Sequence, residues 1–257
     1  MAITQVGTAT TGGADSSGSF SVTKPTGVAS GDVLLCFGAS NEGAWDTLPS
    51  GFTQFAVSDD GDTTNNFRAY AWYKVCGGSE PSSYSFGSTT ASGGGAPMVA
   101  TISAWRGADT TGSPIANVSE IAGGSSSEPA NPATSFTASA TGRLTYCRLA
   151  RSATAIPTFS FDTGTFTAWS ELADAGYFSG GSVRYGLGLY SYGPTVSSGN
   201  GASELPVTCD TTDTDNVYIL TLLKEAAATS AAGGASTATA TSNAPGKRIG
   251  AMAQHIG

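Results

Sequence analysis

The chain has one histidine in 257 residues, His255, close to its last residue. A Ser-His-Asp or Cys-His apparatus in the rest of the chain is thereby excluded, and so is a histidine-based zinc site. Charge is scarce too. Asp, Glu, Lys and Arg make up 12% of the residues, about half the usual share. Lys and Arg total 11 against 19 acidic residues, a net charge of -8. No basic face of the kind that nucleic acid requires is expected. No apolar run approaches the roughly 18 residues that suggest a membrane helix. The opening Met1-Ala2-Ile3-Thr4-Gln5 has neither a basic nor an apolar stretch, so no secretory signal is expected. The four cysteines, Cys36, Cys76, Cys147 and Cys209, lie too far apart for a zinc motif. They read as small buried hydrophobes of a protein made in a reducing cytoplasm, with a disulfide formed after release as the lesser alternative. Gly93-Gly94-Gly95 lacks the Lys and Ser/Thr of a phosphate loop. No cofactor is implied.

What the chain does hold is glycine, 35 residues, with 39% hydrophobic residues. Strand follows turn throughout. Asp32-Val33-Leu34-Leu35-Cys36-Phe37 is a short apolar run, suited to a strand buried on both faces. Phe67 to Val75 reads as the longest alternating strand. Ser19–Val22, Phe52–Val57, Tyr84–Phe86, Met98–Trp105, Ser135–Thr137, Leu144–Leu149, Phe166–Leu172, Val183–Tyr192 and Val217–Leu223 complete the expected set. Asp59-Asp60-Gly61-Asp62 and Ser198-Gly199-Asn200-Gly201 are turn signals. The pattern predicts an all-β fold, a two-sheet antiparallel sandwich of jelly-roll type, over residues 1–224. Gly123 to Pro129 is expected as a long surface loop rather than a linker between domains.

Composition changes after Glu225. Residues 225–246 form an Ala/Thr/Ser/Gly-rich tether, roughly 65–70 Å long if extended. Residues 247–257 follow as a terminal peptide. Ile249, Met252 and Ile256 recur at helical spacing and Lys247-Arg248 precedes them. That combination suits an anchor on another subunit, apolar contacts supplying grip and the basic pair charge complementarity.

Other candidates compete with bland readings. Asp162, Glu171, Asp174, Glu120 and Glu204 could form a glycosidase pair, but carboxylates on a sandwich are usually solvated. Asp59–Asp62 and the group Asp210, Asp213 and Asp215 could hold calcium, although Asp favours turns without metal and neither group has the distal Glu of a calcium loop. Trp45, Trp105, Trp169, Tyr177, Tyr190 and Tyr192 could form a sugar platform. Strand aromatics are more often core, which leaves Trp45, in a loop, as the candidate glycan contact. Asn117-Val118-Ser119 matches a glycosylation sequon that a chain without a secretory signal would not use.

Three segments carry a resemblance. They are Val22-Thr23-Lys24-Pro25-Thr26-Gly27-Val28-Ala29-Ser30-Gly31-Asp32-Val33-Leu34-Leu35, then Trp72-Tyr73-Lys74-Val75 with Ser79-Glu80-Pro81-Ser82-Ser83-Tyr84-Ser85-Phe86, and Ala104-Trp105-Arg106-Gly107-Ala108-Asp109 with Pro114-Ile115. In this order they resemble a β-sandwich module of tailed-bacteriophage virion proteins, of minor tail or head-associated type. The likeness is clearest over residues 19–116 and continues more weakly to 223, through Trp169-Ser170-Glu171-Leu172-Ala173-Asp174. The family commonly has Tyr where Trp105 stands. The resemblance implies a structural, non-enzymatic subunit in a multi-copy virion, with other capsid or tail subunits as partners. A carbohydrate-binding module that attaches to host glycans is the alternative.

Overall fold

The apolar run at Val33 becomes the middle of a sheet. The computed structural model describes residues 2–14, 18–41, 48–59, 67–88, 98–123, 136–152, 155–161, 168–178, 184–193, 195–199, 207–209 and 214–228. These residues hold strands and no helix. The first half of the chain contains β1 (Thr4–Gln5), β2 (Thr10–Ala14), β3 (Gly18–Thr23), β4 (Val33–Asn41), β5 (Thr53–Asp59), β6 (Phe67–Val75), β7 (Ser83–Ser88) and β8 (Met98–Arg106). The second half contains β9 (Ile115–Gly123), β10 (Gly142–Ser152), β11 (Phe159–Phe161), β12 (Trp169–Phe178), β13 (Arg184–Tyr192), β14 (Val207–Cys209) and β15 (Thr214–Lys224).

Each half builds one main antiparallel sheet. The first has the order β1-β8-β4-β6-β5, with β2 beyond β1 along the same edge of β8; the second has the order β12-β13-β10-β15-β9. Two-stranded sheets, β3–β7 and β11–β14, complete the set. The two-sheet antiparallel sandwich expected from the sequence is present. A jelly roll shuttles successive strands between its sheets; among the described strands, this chain passes between the main sheets once, from β8 to β9.

Strand alternation sorts the side chains into layers. Val33, Leu35, Phe37 and Ala39 of β4 meet Cys147 and Leu149 of β10, Leu187 and Leu189 of β13, and Val217 and Ile219 of β15 in a core shared by the two sheets. The other face of β4, Leu34 and Cys36, packs with Trp72, Ile102 and Ala104 beneath Phe20, Val22, Tyr84 and Phe86 of the small β3–β7 sheet. The outer face of the second sheet, with Leu144, Tyr146, Tyr190, Tyr218 and Leu220, is covered by Phe136, Phe159, Trp169 and Val196. Sheets covered on both faces read as continuous apolar runs. That is why β6, expected to alternate, buries Ala69, Tyr70, Ala71 and Trp72 in succession. Phe136 sits in that cover as irregular chain, where a strand over Ser135–Thr137 was expected. Among the turns, Gly31 at φ 85° and Gly107 at φ 88° adopt left-handed backbone that a side chain would strain. They admit the chain to β4 and release it from β8.

The final backbone bonds of the sandwich involve Glu225 and Ala226. Glu225 N–H donates to Thr141 and Ala226 N–H to Gly107, each at 2.9 Å. The compact unit runs to Ala227. The loop expected over Gly123–Pro129 lies, after Gly123, outside the described residues, as does the tether after Ala228.

Trp105 is 1% exposed in the shared core, its indole N–H donating to Ser103 Oγ at 3.0 Å. Trp105→Ala is expected to cost about 3–5 kcal/mol of unfolding free energy. Val118→Ala, at the exposed edge on β9, is expected to cost less than about 0.5 kcal/mol. Urea unfolding of the two variants checks the difference; equal losses would show that Trp105 is not where the two sheets are held together.

Candidate functional site

Arg148 is buried midway along β10, and Arg68, Arg151 and Arg184 stand at the opposite strand ends, but three ion pairs and Arg143 gather at one end of the sandwich. There β4 and β10 begin, and β6, β8, β13 and β15 end. The two sheets are tied at this end by Arg143, whose guanidinium donates to the carbonyl of Ile3 at 2.9 Å and to those of Tyr192, at 2.7 Å, and Gly193. The main chain adds a bond from Asp109 N–H to the Lys224 carbonyl at 2.8 Å.

Three ion pairs sit here. Asp32, its side chain 3% exposed, receives both Nε and a terminal nitrogen of Arg106, each at 2.8 Å. Its carboxylate also accepts the Ala29 N–H at 2.8 Å. The forked geometry makes this the most directional of the three. Lys74 Nζ lies 2.8 Å from Glu80, accepts a place over the rings of Phe52 and Tyr84 at 5.9 and 5.3 Å, and donates to the Ser50 carbonyl at 3.1 Å. Burial alone would raise the Glu80 carboxyl, but hydrogen bonds from Lys74, the Gly77 N–H and the Tyr84 hydroxyl outweigh it and hold the group below the usual carboxylate range. Burial, then Glu80 and Asp32, push the neighbouring Cys76 thiol up to about 11. Lys224 lies 2.6 Å from Asp109. The hydrogen bond from Lys224, with those of the Thr111 hydroxyl and N–H, holds Asp109 well below its ordinary value.

The candidate residues fall unevenly. Trp45, Lys247, Arg248, Ile249, Met252 and Ile256 lie outside the described residues, as do Asp60, Asp62, Asp162, Glu204, Asp210, Asp213 and His255. Asp59, Tyr177, Cys209 and Asp215 are placed in strands by their backbone alone. Trp105, Trp169 and Tyr190 are buried, and Tyr192 is half-buried with its ring 5.1 Å from that of Trp169. These aromatics are core, not shelf. Glu171 and Asp174 both lie on β12; burial first and then these two carboxylates raise the Tyr190 hydroxyl. Glu120 stands apart from them on β9, raised by burial while accepting the Val57 N–H of β5. That bond joins the edges of the two sheets, and nothing in the sequence pattern pointed to it. Cys36, Cys76 and Cys147 are free and buried. Among the described residues, no three metal-ligating side chains converge.

Taken chemically, the end of the sandwich is a set of mutually satisfied charges that fasten strand termini. Two of its carboxyls, Glu80 and Asp109, have folded-state values below their unfolded ones. The stability they contribute is complete above the unfolded carboxylate range of about pH 4 and is lost as pH falls towards the depressed values. Glu120, raised by burial, acts in the opposite sense. Asp109→Asn combined with Glu80→Gln is therefore expected to lower Tm at pH 7 and to flatten the fall of Tm below about pH 4; thermal melts across pH check it, and a variant whose profile runs parallel to the parent's would show that these ties are not linked to protons. No family model matches this chain, and neither does any curated protein or solved structure.

Proposed function

We propose that the protein is a non-enzymatic structural subunit of a bacteriophage virion, of minor tail or head-decoration type, present in many copies and docked to capsid or tail subunits. The observation that carries the reading is where the three resembling segments lie. The first leads through Gly31 into β4, the second leaves β6 for β7, and the third ends β8. Asp32 of the first binds Arg106 of the third, and Lys74 binds Glu80 within the second. Motif residues thus act as fasteners of one sheet end, which is what a load-transmitting subunit needs and what a catalyst does not require.

Docking falls to the terminal peptide. Ile249, Met252 and Ile256 supply apolar contacts and Lys247 and Arg248 the complementary charge. The preceding tether lets the sandwich stand away from its partner. No described aromatic favours the glycan-binding alternative, which rests on Trp45.

The test is removal of residues 229–257. The truncated protein is expected to fold with unchanged unfolding midpoint and to be missing from purified particles, where the full chain is retained. Full incorporation of the truncated protein would remove the anchor, and absence of the full chain from particles would remove the virion reading itself.

A further inference from the structure

The two main sheets have the same strand order. Counting β1 with β2 as one interrupted edge, the first half contributes five main strands in the sequence β1/β2, β4, β5, β6, β8, and the second contributes β9, β10, β12, β13, β15. In both sheets the last of these lies between the first and the second, and the fourth and third follow on the other side. In both halves, one strand of the small covering sheet (β7, then β14) comes between the fourth and fifth main strands. The other covering strand differs: β3 precedes the central strand of its half and β11 follows it.

Shared topology alone could be coincidence. A shared irregularity is harder to explain away. The edge strand β5 bulges at Phe55, between the rungs Gln54–Trp72 and Ala56–Ala71. The edge strand β12 bulges at Leu172, between Glu171–Tyr190 and Ala173–Leu189. Nothing in the strand order requires a bulge at that rung. The sequences there correspond as well: Thr53-Gln54-Phe55-Ala56 against Ser170-Glu171-Leu172-Ala173. Phe55 and Leu172 both lean into the shared core.

Laying one bulge on the other fixes every other rung. Ala71 falls on Leu189; their partners in the central strands, Phe37 and Cys147, then coincide. Thr101 falls on Ile219, Trp105 on Leu223 and Arg106 on Lys224. Both members of that last pair are cations engaged by an aspartate, Asp32 and Asp109 respectively. One further equivalence is Phe67 with Tyr185, and these two rings stack on each other, centroids 5.5 Å apart at 30°. Equivalent residues touch each other where a two-fold axis passes between two copies. The remaining inter-sheet packing obeys the same exchange. β8 packs on β13 as β15 packs on β6, and β2 on β12 as β9 on β5, while β4 packs on β10. Side-chain sizes have diverged: Phe37 and Ala71 in one half stand where Cys147 and Leu189 stand in the other.

We propose that residues 2–109 and 115–225 are two copies of one five-stranded unit joined in tandem, and that the inner face of each sheet is an association surface whose fitted partner is a second copy of its own fold. Joining makes the association intramolecular and allows the two faces to diverge against each other.

The experiment uses the full chain with a protease site inserted after Gly112, an open turn position where no atom crowds the backbone. Cut after folding, the two pieces are expected to elute together at the size of the uncut chain. Unfolded in urea, refolded and measured by native mass spectrometry, they are expected to return as the mixed pair, with homodimers of each piece as minor species. Folded single pieces, or mixed pairs with no homodimers at any mixing ratio, would overturn the self-matching surface. If the pieces precipitate, cross-strand amide contacts measured by NMR on the uncut chain decide. The bulges at Phe55 and Leu172 must coincide when one half is laid on the other with Phe37 on Cys147, and a displacement of one rung overturns the duplication, since it reverses every side chain.

Discussion

Neither main sheet can keep its inner face in water. Leu35, Phe37 and Val99 on one side, and Leu149, Leu187, Leu189 and Ile219 on the other, are fully buried only because the sheets face each other. Each such side chain contributes roughly 1.5–3 kcal/mol on burial. The ring stack of Phe67 on Tyr185 and the Arg143 bond to the Ile3 carbonyl set how the sheets meet at their two ends. The covering layers come second. The small β3–β7 sheet can seal Leu34, Cys36 and Trp72 only on a sheet whose other face is already supported.

This layering accounts for the composition. Main strands covered on both faces have little room for charge; Arg148, buried midway along β10 and donating to Asn216, is an exception, and the three ion pairs collect at strand ends. There they fasten turns: Asp32 to Arg106 across the start of β4, Lys74 to Glu80 after β6, Asp109 to Lys224 where the second half closes on the first. Free edges are handled separately. β5 and β12 each carry a bulge, and Glu120 takes up the Val57 N–H that β5 would otherwise offer to another strand.

Much of this was legible in the sequence where burial is strongest. β4, β6, β8, β10 and β15 announce themselves by apolar runs, and Gly31-Asp32 and Arg106-Gly107 by turn chemistry. β9 was missed because Asn117, Ser119 and Glu120 break up Ile115, Val118 and Ile121 on an edge strand. The extra cover over Tyr146 and Tyr218 was misread as a strand at Phe136, since an aromatic between small residues looks the same in a strand or in a loop that plugs a face. Asp32 and Glu80 were visible as punctuation, but their partners, far along the chain or across a turn, were not. The likeness of the halves was hidden because only contacts across the core were kept complementary. Phe37 against Cys147 and Ala71 against Leu189 share no side chain, while the features that persist, strand order and a bulged rung, are not written in any local pattern.

A chain that finishes one sheet before starting its mate has a consequence during synthesis. The ribosome adds about 5–20 residues per second, so the first sheet waits roughly 5–20 s for the second half to be made. Throughout that interval the side chains of Leu35, Phe37 and Val99 lack the cover that β10, β13 and β15 later give them. On a crowded messenger the nearest surface of the right shape belongs to the neighbouring nascent copy. Slow translation through β9–β15 would therefore favour exchange of halves between chains, and fast translation would favour closure within one.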